Sequence, residues 1–188
     1  MELGIELQIG LALLAGIAIA AAAGLRAFLP LFVIGLAARF ELIGLHENVD
    51  WLTGTNVLIA LGAATLLEIS ADKIPVVDHA LDSVATFIRP VAAWIGAYAM
   101  LIHWPSPWAA VVATLLAGGS LAVHALKGVV RIGSTATTAG TANPAISTAE
   151  DALALSLVVM AVLVPVLAVL LLVGIVWLVR RRRRRVAV

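Results

Sequence analysis

Glu68-Ile69-Ser70-Ala71-Asp72-Lys73-Ile74-Pro75-Val76-Val77-Asp78-His79-Ala80-Leu81-Asp82 is a charged stretch set between two apolar runs, and Arg89-Pro90 follows closely. A charged side chain at the centre of a bilayer costs roughly 2.5–3.5 kcal/mol even on insertion scales. If the flanking runs are membrane spans, these charges are tolerated when they face the inside of a helix bundle. The fold therefore turns on whether the flanks span.

Composition says that they do. Of 188 residues, 63% are hydrophobic and 12% charged, with a mean hydropathy of +1.12. A soluble domain is about 45–50% apolar and about 25% charged, so the chain reads as an integral membrane protein. The net charge of +1 conceals an imbalance, because Arg180–Arg185 supply six of the twelve cations against eleven acids. Cysteine is absent, which excludes disulfides, thiolate metal sites and a cysteine nucleophile. Glu2 and Glu6 stand where a secretory signal carries positive charge, so no cleaved leader is expected.

Upstream of the charged stretch, Leu52–Ser70 predicts a span, preceded by an acidic loop from Glu41 to Asp50. Leu7–Ala23 predicts a first span, rich in the small residues that suit close packing in lipid. Gly24-Leu25-Arg26-Ala27-Phe28-Leu29-Pro30 then interrupts an apolar run that continues to Arg39. It fits either one long bent span or two half-spans.

Downstream, Val76–Ile88 is too short and too polar on one face to cross lipid alone. It reads as re-entrant, interfacial or buried in the bundle, with Pro90 opening a further span to His103. Trp104-Pro105-Ser106-Pro107-Trp108 reads as an interfacial turn, Ser106 capping and Pro107 starting the next helix. Trp108–Val130 predicts that span, and Gly133–Asn143 a loop. Ser147-Thr148-Ala149-Glu150 has capping-box spacing, and Leu153–Val179 predicts the last span, kinked at Pro165. The arginine run places the C-terminus in the cytoplasm by the positive-inside rule.

The expected fold is all-α, a polytopic transmembrane helix bundle of about five or six membrane segments, at least one broken or re-entrant. It forms a single integral membrane domain over 1–179 with a basic cytoplasmic tail over 180–188. Pro75-x-x-Asp78-x-x-x-Asp82 and Pro144-x-x-Ser147-x-x-x-Asp151 match in spacing, a weak internal repeat of the kind found in transporters.

Thr65, Glu68 and Asp72 share one helix face, as do Asp78, Asp82 and nearby Arg89, and as do Ser120, His124, Lys127 and Arg131. The expectation is one central site. Glu68, Asp72, Asp78 and Asp82 supply carboxylates; Lys73, Arg89, Lys127, Arg131 and Arg26 supply cations. Buried charges that simply pair off to fix helix packing are the structural alternative. Asp78 follows the Pro75 break, where freed backbone and a carboxylate can together hold a cation.

His79 and His124 lie in polar faces suited to proton relay, whereas His46 reads as a loop residue and His103 as interfacial. Asn143 and Asp151 add a second polar patch, with Glu150 completing a cap. No cofactor is expected. Mg²⁺ is the one metal to consider, because Glu68-x-x-x-Asp72 and Asp78-x-x-x-Asp82 are hard oxygen pairs at helical spacing, although Lys73 between them would compete.

Taken together, Gly24–Pro30, Glu68…Asp72-Lys73-Ile74-Pro75-x-x-Asp78, Asp82, Arg89-Pro90, His124-x-x-Lys127-x-x-x-Arg131 and Asn143-Pro144…Ser147…Glu150-Asp151 resemble a family of small bacterial membrane proteins. The family is catalogued as domain of unknown function 4126. The resemblance runs from Leu7 to Ile175 and is most specific at Asp72-Lys73-Ile74-Pro75. It implies a multi-pass inner-membrane protein and no particular activity.

The residues themselves favour a transporter-like protein passing a polar or ionic solute through the charged site. The alternatives are an anionic-lipid flippase or scramblase, a metal-dependent lipid-phosphate enzyme, or a membrane scaffold without transport. The expected partners are the bilayer and a small polar solute, ion or anionic lipid. No nucleic acid is expected, and a homo-oligomer is open.

Overall fold

The computed structural model describes residues 4–72, 75–163 and 173–178, and for 75–83 the backbone alone. The chain is helical: α1 (Ile5–Leu25), α2 (Phe28–Arg39), a 3₁₀ turn (Asp50–Thr53), α3 (Thr55–Ala71), α4 (Pro75–Met100), α5 (Ser106–Thr138) and α6 (Asn143–Leu163). Helices α1, α5 and α6 are long and apolar enough to cross a membrane. Helices α2, α3 and the Val84–Met100 part of α4 are shorter apolar segments.

Helix α1 is the hub, packed by α4, α5 and α6. It is apolar on every side, and such a helix is stable when covered all round. Ala18, Ala22 and Ala23 are fully buried. Two glycines set the approach of its neighbours. A Cβ at Gly24 would lie 2.6 Å from the Ser120 carbonyl oxygen, and one at Gly96 would lie 2.6 Å from Ile19 Cγ2. Helices α5 and α4 thus close on α1 where a side chain is missing.

One end of the bundle carries the aromatic residues expected at a membrane–water boundary. Trp51 and Trp108 are exposed there, and Trp104 Nε1 donates to the Ile9 carbonyl at 3.2 Å. His46 is buried, its ring nitrogens 3.1 and 3.0 Å from the Glu47 and Trp104 carbonyl oxygens. From Trp108 to Lys127 is about 28 Å along α5, and α1 is about 31 Å long. The hydrocarbon core is about 30 Å thick. Arg26 and Lys127 therefore sit toward the end of the bundle opposite this aromatic group.

Several predicted boundaries move. Val76–Ile88 is not a separate element, because α4 runs unbroken from Pro75 through Pro90. Proline removes one rung of the ladder there without ending the helix. Helix α5 continues eight residues past Val130 to Thr138. Its Ser/Thr-rich end is held by Thr137 Oγ1 and Thr138 Oγ1, which donate to the Gly133 and Ser134 carbonyls. Ser106 does not cap α5; Pro105 holds that position, and Ser106 Oγ donates to Glu47 Oε1. Helix α6 begins at Asn143, so Ser147 and Glu150 lie inside it and form no capping box. Of the predicted span Leu153–Val179, α6 covers the part to Leu163, and Ile175 lines the same cavity as Leu157. Pro165 and the arginine tail lie outside the described residues.

Candidate functional site

The site grows from the break between α1 and α2. A helix end leaves its last carbonyls or first N–H groups without partners, and here two ends meet inside the bundle. The Glu68 carboxylate, reaching from α3, accepts from Ala27 N at 2.9 Å and Phe28 N at 3.3 Å, the open start of α2. Arg89 Nη1, from α4, donates at 3.1 Å to the Gly24 carbonyl in the last turn of α1. The signs match the helix dipoles, an acid at a helix start and a cation at a helix end.

Held this way, the break turns Arg26 into the protein, where its side chain is 0% exposed. Arg26 Nη1 lies 2.5 Å from Asp72 Oδ2, and Nε 2.5 Å from Asp151 Oδ1. Nη2 donates to Ser147 Oγ at 3.1 Å. Asp72 ends α3, Ser147 and Asp151 belong to α6, and α5 contributes two more cations. Arg131 Nη2 is 2.7 Å from Asp72 Oδ2 and 3.1 Å from Glu150 Oε2. Lys127 Nζ is 3.3 Å from Asp72 Oδ2 and 3.5 Å from Glu150 Oε2. Three cations thus face three carboxylates, and one oxygen, Asp72 Oδ2, serves Arg26, Lys127 and Arg131 together.

A second group lies apart from this cluster. Arg89 Nη1 also meets His124 Nδ1, and His124 Nε2 lies 3.3 Å from Thr86 Oγ1. Asn143 stands elsewhere again, its Nδ2 donating to Thr135 Oγ1 at 3.1 Å. Lys73, and the side chains of Asp78, His79 and Asp82, lie outside the described residues.

Of the residues chosen from sequence, the structure brings together Arg26, Asp72, Lys127, Arg131 and Asp151. It sets Glu68, Arg89, His124 and Asn143 to other partners. Sequence reasoning passed over Ser147 and Glu150 as cap residues. Their spacing with Asp151, three and four positions on from Ser147, was the signal for a shared polar face. Among the described residues, no three acids or histidines gather as a metal-binding group.

Two apolar cavities flank the charged centre. One, of about 350 Å³, lies between α5 and α6 over α1 and has Lys127 and Glu150 in its wall. The other, of about 280 Å³, lies among α2, α3 and α4 beside Glu68.

The family model described as "Domain of unknown function (DUF4126)" matches residues 13–185, and the chain belongs to that family. No curated protein and no solved structure matches it.

Proposed function

We propose that this member of the family is a small transporter-like protein of the bacterial inner membrane that passes a polar or ionic solute by way of the Arg26–Asp72 cluster. The observation that carries this reading is the sharing of Asp72 Oδ2 by Arg26, Lys127 and Arg131. Here a single acid balances cations from the α1–α2 break and from α5. Protonating Asp72, or replacing it with an anionic group of a solute, would repartner all three at once. Removing one member of a buried ion pair costs about 3–5 kcal/mol, enough to couple solute binding to helix movement.

The side chains of Arg26, Asp72 and Lys127 are buried, so this arrangement serves as a closed state. By the positive-inside rule the arginine run belongs to the cytoplasmic side, and we put the cluster toward that side. The solute is then taken up or released there.

The test is solid-supported-membrane electrophysiology on proteoliposomes offered inorganic phosphate, succinate, glutamate, Na⁺ or K⁺ with and without a pH gradient. The expected result is a gradient-dependent current for at least one solute, abolished by Asp72→Asn in protein that still inserts. Wild-type currents equal to those of protein-free liposomes for every solute would sink the proposal.

A further inference from the structure

We infer that His46 is a pH-sensitive latch. As the doubly protonated imidazolium it ties the loop over residues 40–49 to the link over residues 101–105, and loss of a proton releases the loop. This assignment does not rest on transport. A neutral imidazole has one N–H and one lone pair, whereas the imidazolium has two N–H groups. Both ring nitrogens of His46 meet backbone carbonyl oxygens, Nδ1 that of Glu47 at 3.1 Å and Nε2 that of Trp104 at 3.0 Å. A carbonyl oxygen only accepts. Either neutral tautomer therefore satisfies one contact and turns a lone pair toward an oxygen at the other. The imidazolium satisfies both.

The surroundings suit that charge. His46 is buried, so its partners rather than water must stabilise it. The Tyr98 ring centroid lies 4.3 Å from that of His46, the planes tilted by 50°, inside the reach of about 6 Å for a cation beside an aromatic ring. Trp94 stacks on Tyr98 at 5.1 Å. The charged and titratable groups of the neighbouring segments are Glu41, Glu47 and Asp50 ahead of α3, Arg39 in α2, Tyr98 in α4, His103 in the link and Glu6 in α1. Acids thus outnumber the one arginine, which is turned to Thr53 and Thr55. Glu47 accepts from Ser106. Among the described residues His46 forms no ion pair, so the two carbonyls and the ring face are what hold its second proton.

What the latch holds is a cavity wall. The His46 backbone N–H donates to the Ala99 carbonyl at 2.9 Å, and a Cβ at Gly44 would lie 2.6 Å from Ile102 Cδ1. Loop and link are fitted closely to each other. Together they line a cavity of about 360 Å³ against α1, with Ile43 and Gly44 from the loop, Ile102 and His103 from the link and Gln8 from α1. The sign follows from the proton count. Below the range in which histidine titrates both bonds are made. As pH rises through that range, near neutrality, one N–H is lost and the loop loosens along the cavity.

The experiment is hydrogen–deuterium exchange mass spectrometry of the full-length protein in nanodiscs at about pH 5 and about pH 8, corrected for the intrinsic exchange rate. Protection of peptides over residues 40–49 should fall about tenfold at the higher pH, the scale of one charge-assisted hydrogen bond. His46→Gln has the same donors at every pH and should abolish this step, whereas His103→Gln should keep it. If His46→Gln does not insert, the sign of the native step decides, because the Glu47–Ser106 contact strengthens as pH rises. Native protection that is unchanged or rises with pH, a step that persists in His46→Gln, or one lost in His103→Gln overturns the latch.

Discussion

Glu68 and Asp72 lie four residues apart at the end of α3, yet their carboxylates meet different kinds of partner. Glu68 faces backbone: two N–H groups at the start of α2. Asp72 faces side chains: Arg26, Lys127, Arg131 and Ser147. Arg89 stands between the two, donating to the Gly24 carbonyl and also meeting the His124 ring. A charge that satisfies a helix end has a partner that cannot leave, because the backbone group is fixed by the fold. A charge that satisfies other charges has partners that can rotate, protonate or be replaced. Burial and sign are alike in the two regions; what differs is whether the partner is exchangeable. On this contrast we place Glu68 with the fold, and we propose Arg26, Asp72, Lys127, Arg131, Glu150 and Asp151 for the function.

The largest effect should come from Arg26→Met. The side chain is of similar length and apolar, so packing volume is nearly kept while Asp72, Asp151 and Ser147 lose a common donor. Leaving buried carboxylates without their cation costs about 3–5 kcal/mol. Thermal unfolding in detergent should show a large fall in midpoint, or the protein should fail to accumulate. A variant as stable as the native chain would mean that Lys127 and Arg131 alone balance the acids, and that the break at Arg26 is not the organising feature of the site.

A smaller effect is expected from Glu68→Gln. The amide keeps one acceptor oxygen for the α2 start and removes the charge that complements the helix dipole. Loss of a good N-terminal cap costs about 0.5–2 kcal/mol, and the charge term alone about 0.3–1 kcal/mol. Stability should fall by about 1 kcal/mol while gradient-driven current in liposomes is retained. Loss of current at unchanged stability would erase the division drawn between Glu68 and Asp72.

Much of the architecture could be read from the residues. The membrane-type helical bundle follows from composition, and the Gly24–Pro30 interruption marks the point where α1 ends and α2 begins. The charged faces also identify most of the cluster. Three things were not legible, each for a physical reason. Small polar residues from Gly133 to Thr138 read as loop, but their hydroxyls turn back onto the preceding carbonyls and the helix persists. Pro90 reads as a start, but the helix runs on through it, and the packing of Ala92, Ala93 and Ala97 in the core holds the turns that follow. Helical spacing puts Glu68 and Asp72 on one face, and Asp72 keeps that register, its N–H on the Glu68 carbonyl. Asp72, in the C-cap position, turns to the cluster while Glu68 reaches the α2 start. Spacing reports which residues share a face of one helix. It does not report which neighbour's end, backbone or charge that face will meet.

The smallest effect should be that of Asn143→Ala, and it tests the limit of reading function from a polar residue in an apolar chain. Asn143 begins α6 and was grouped with Asp151 because both fall in one polar patch of the sequence. In the structure the two part company. Asp151 pairs with Arg26 in the cluster, whereas Asn143 Nδ2 donates to Thr135 Oγ1 in an exposed contact between the ends of α5 and α6. That bond spans the tight turn at Ala139 and Gly140, whose φ values of +52° and +83° already fix the reversal. An exposed neutral hydrogen bond contributes about 0.5–1.5 kcal/mol at most, and water can replace it. Asn143→Ala should therefore lower stability by about 0.5 kcal/mol or less, within the range of ordinary surface substitutions, and leave solute current unchanged. A loss of current comparable to that of Asp72→Asn would extend the functional site beyond the ion cluster to the α5–α6 turn. The rule that exchangeable charge partners mark function would then be too narrow for this fold.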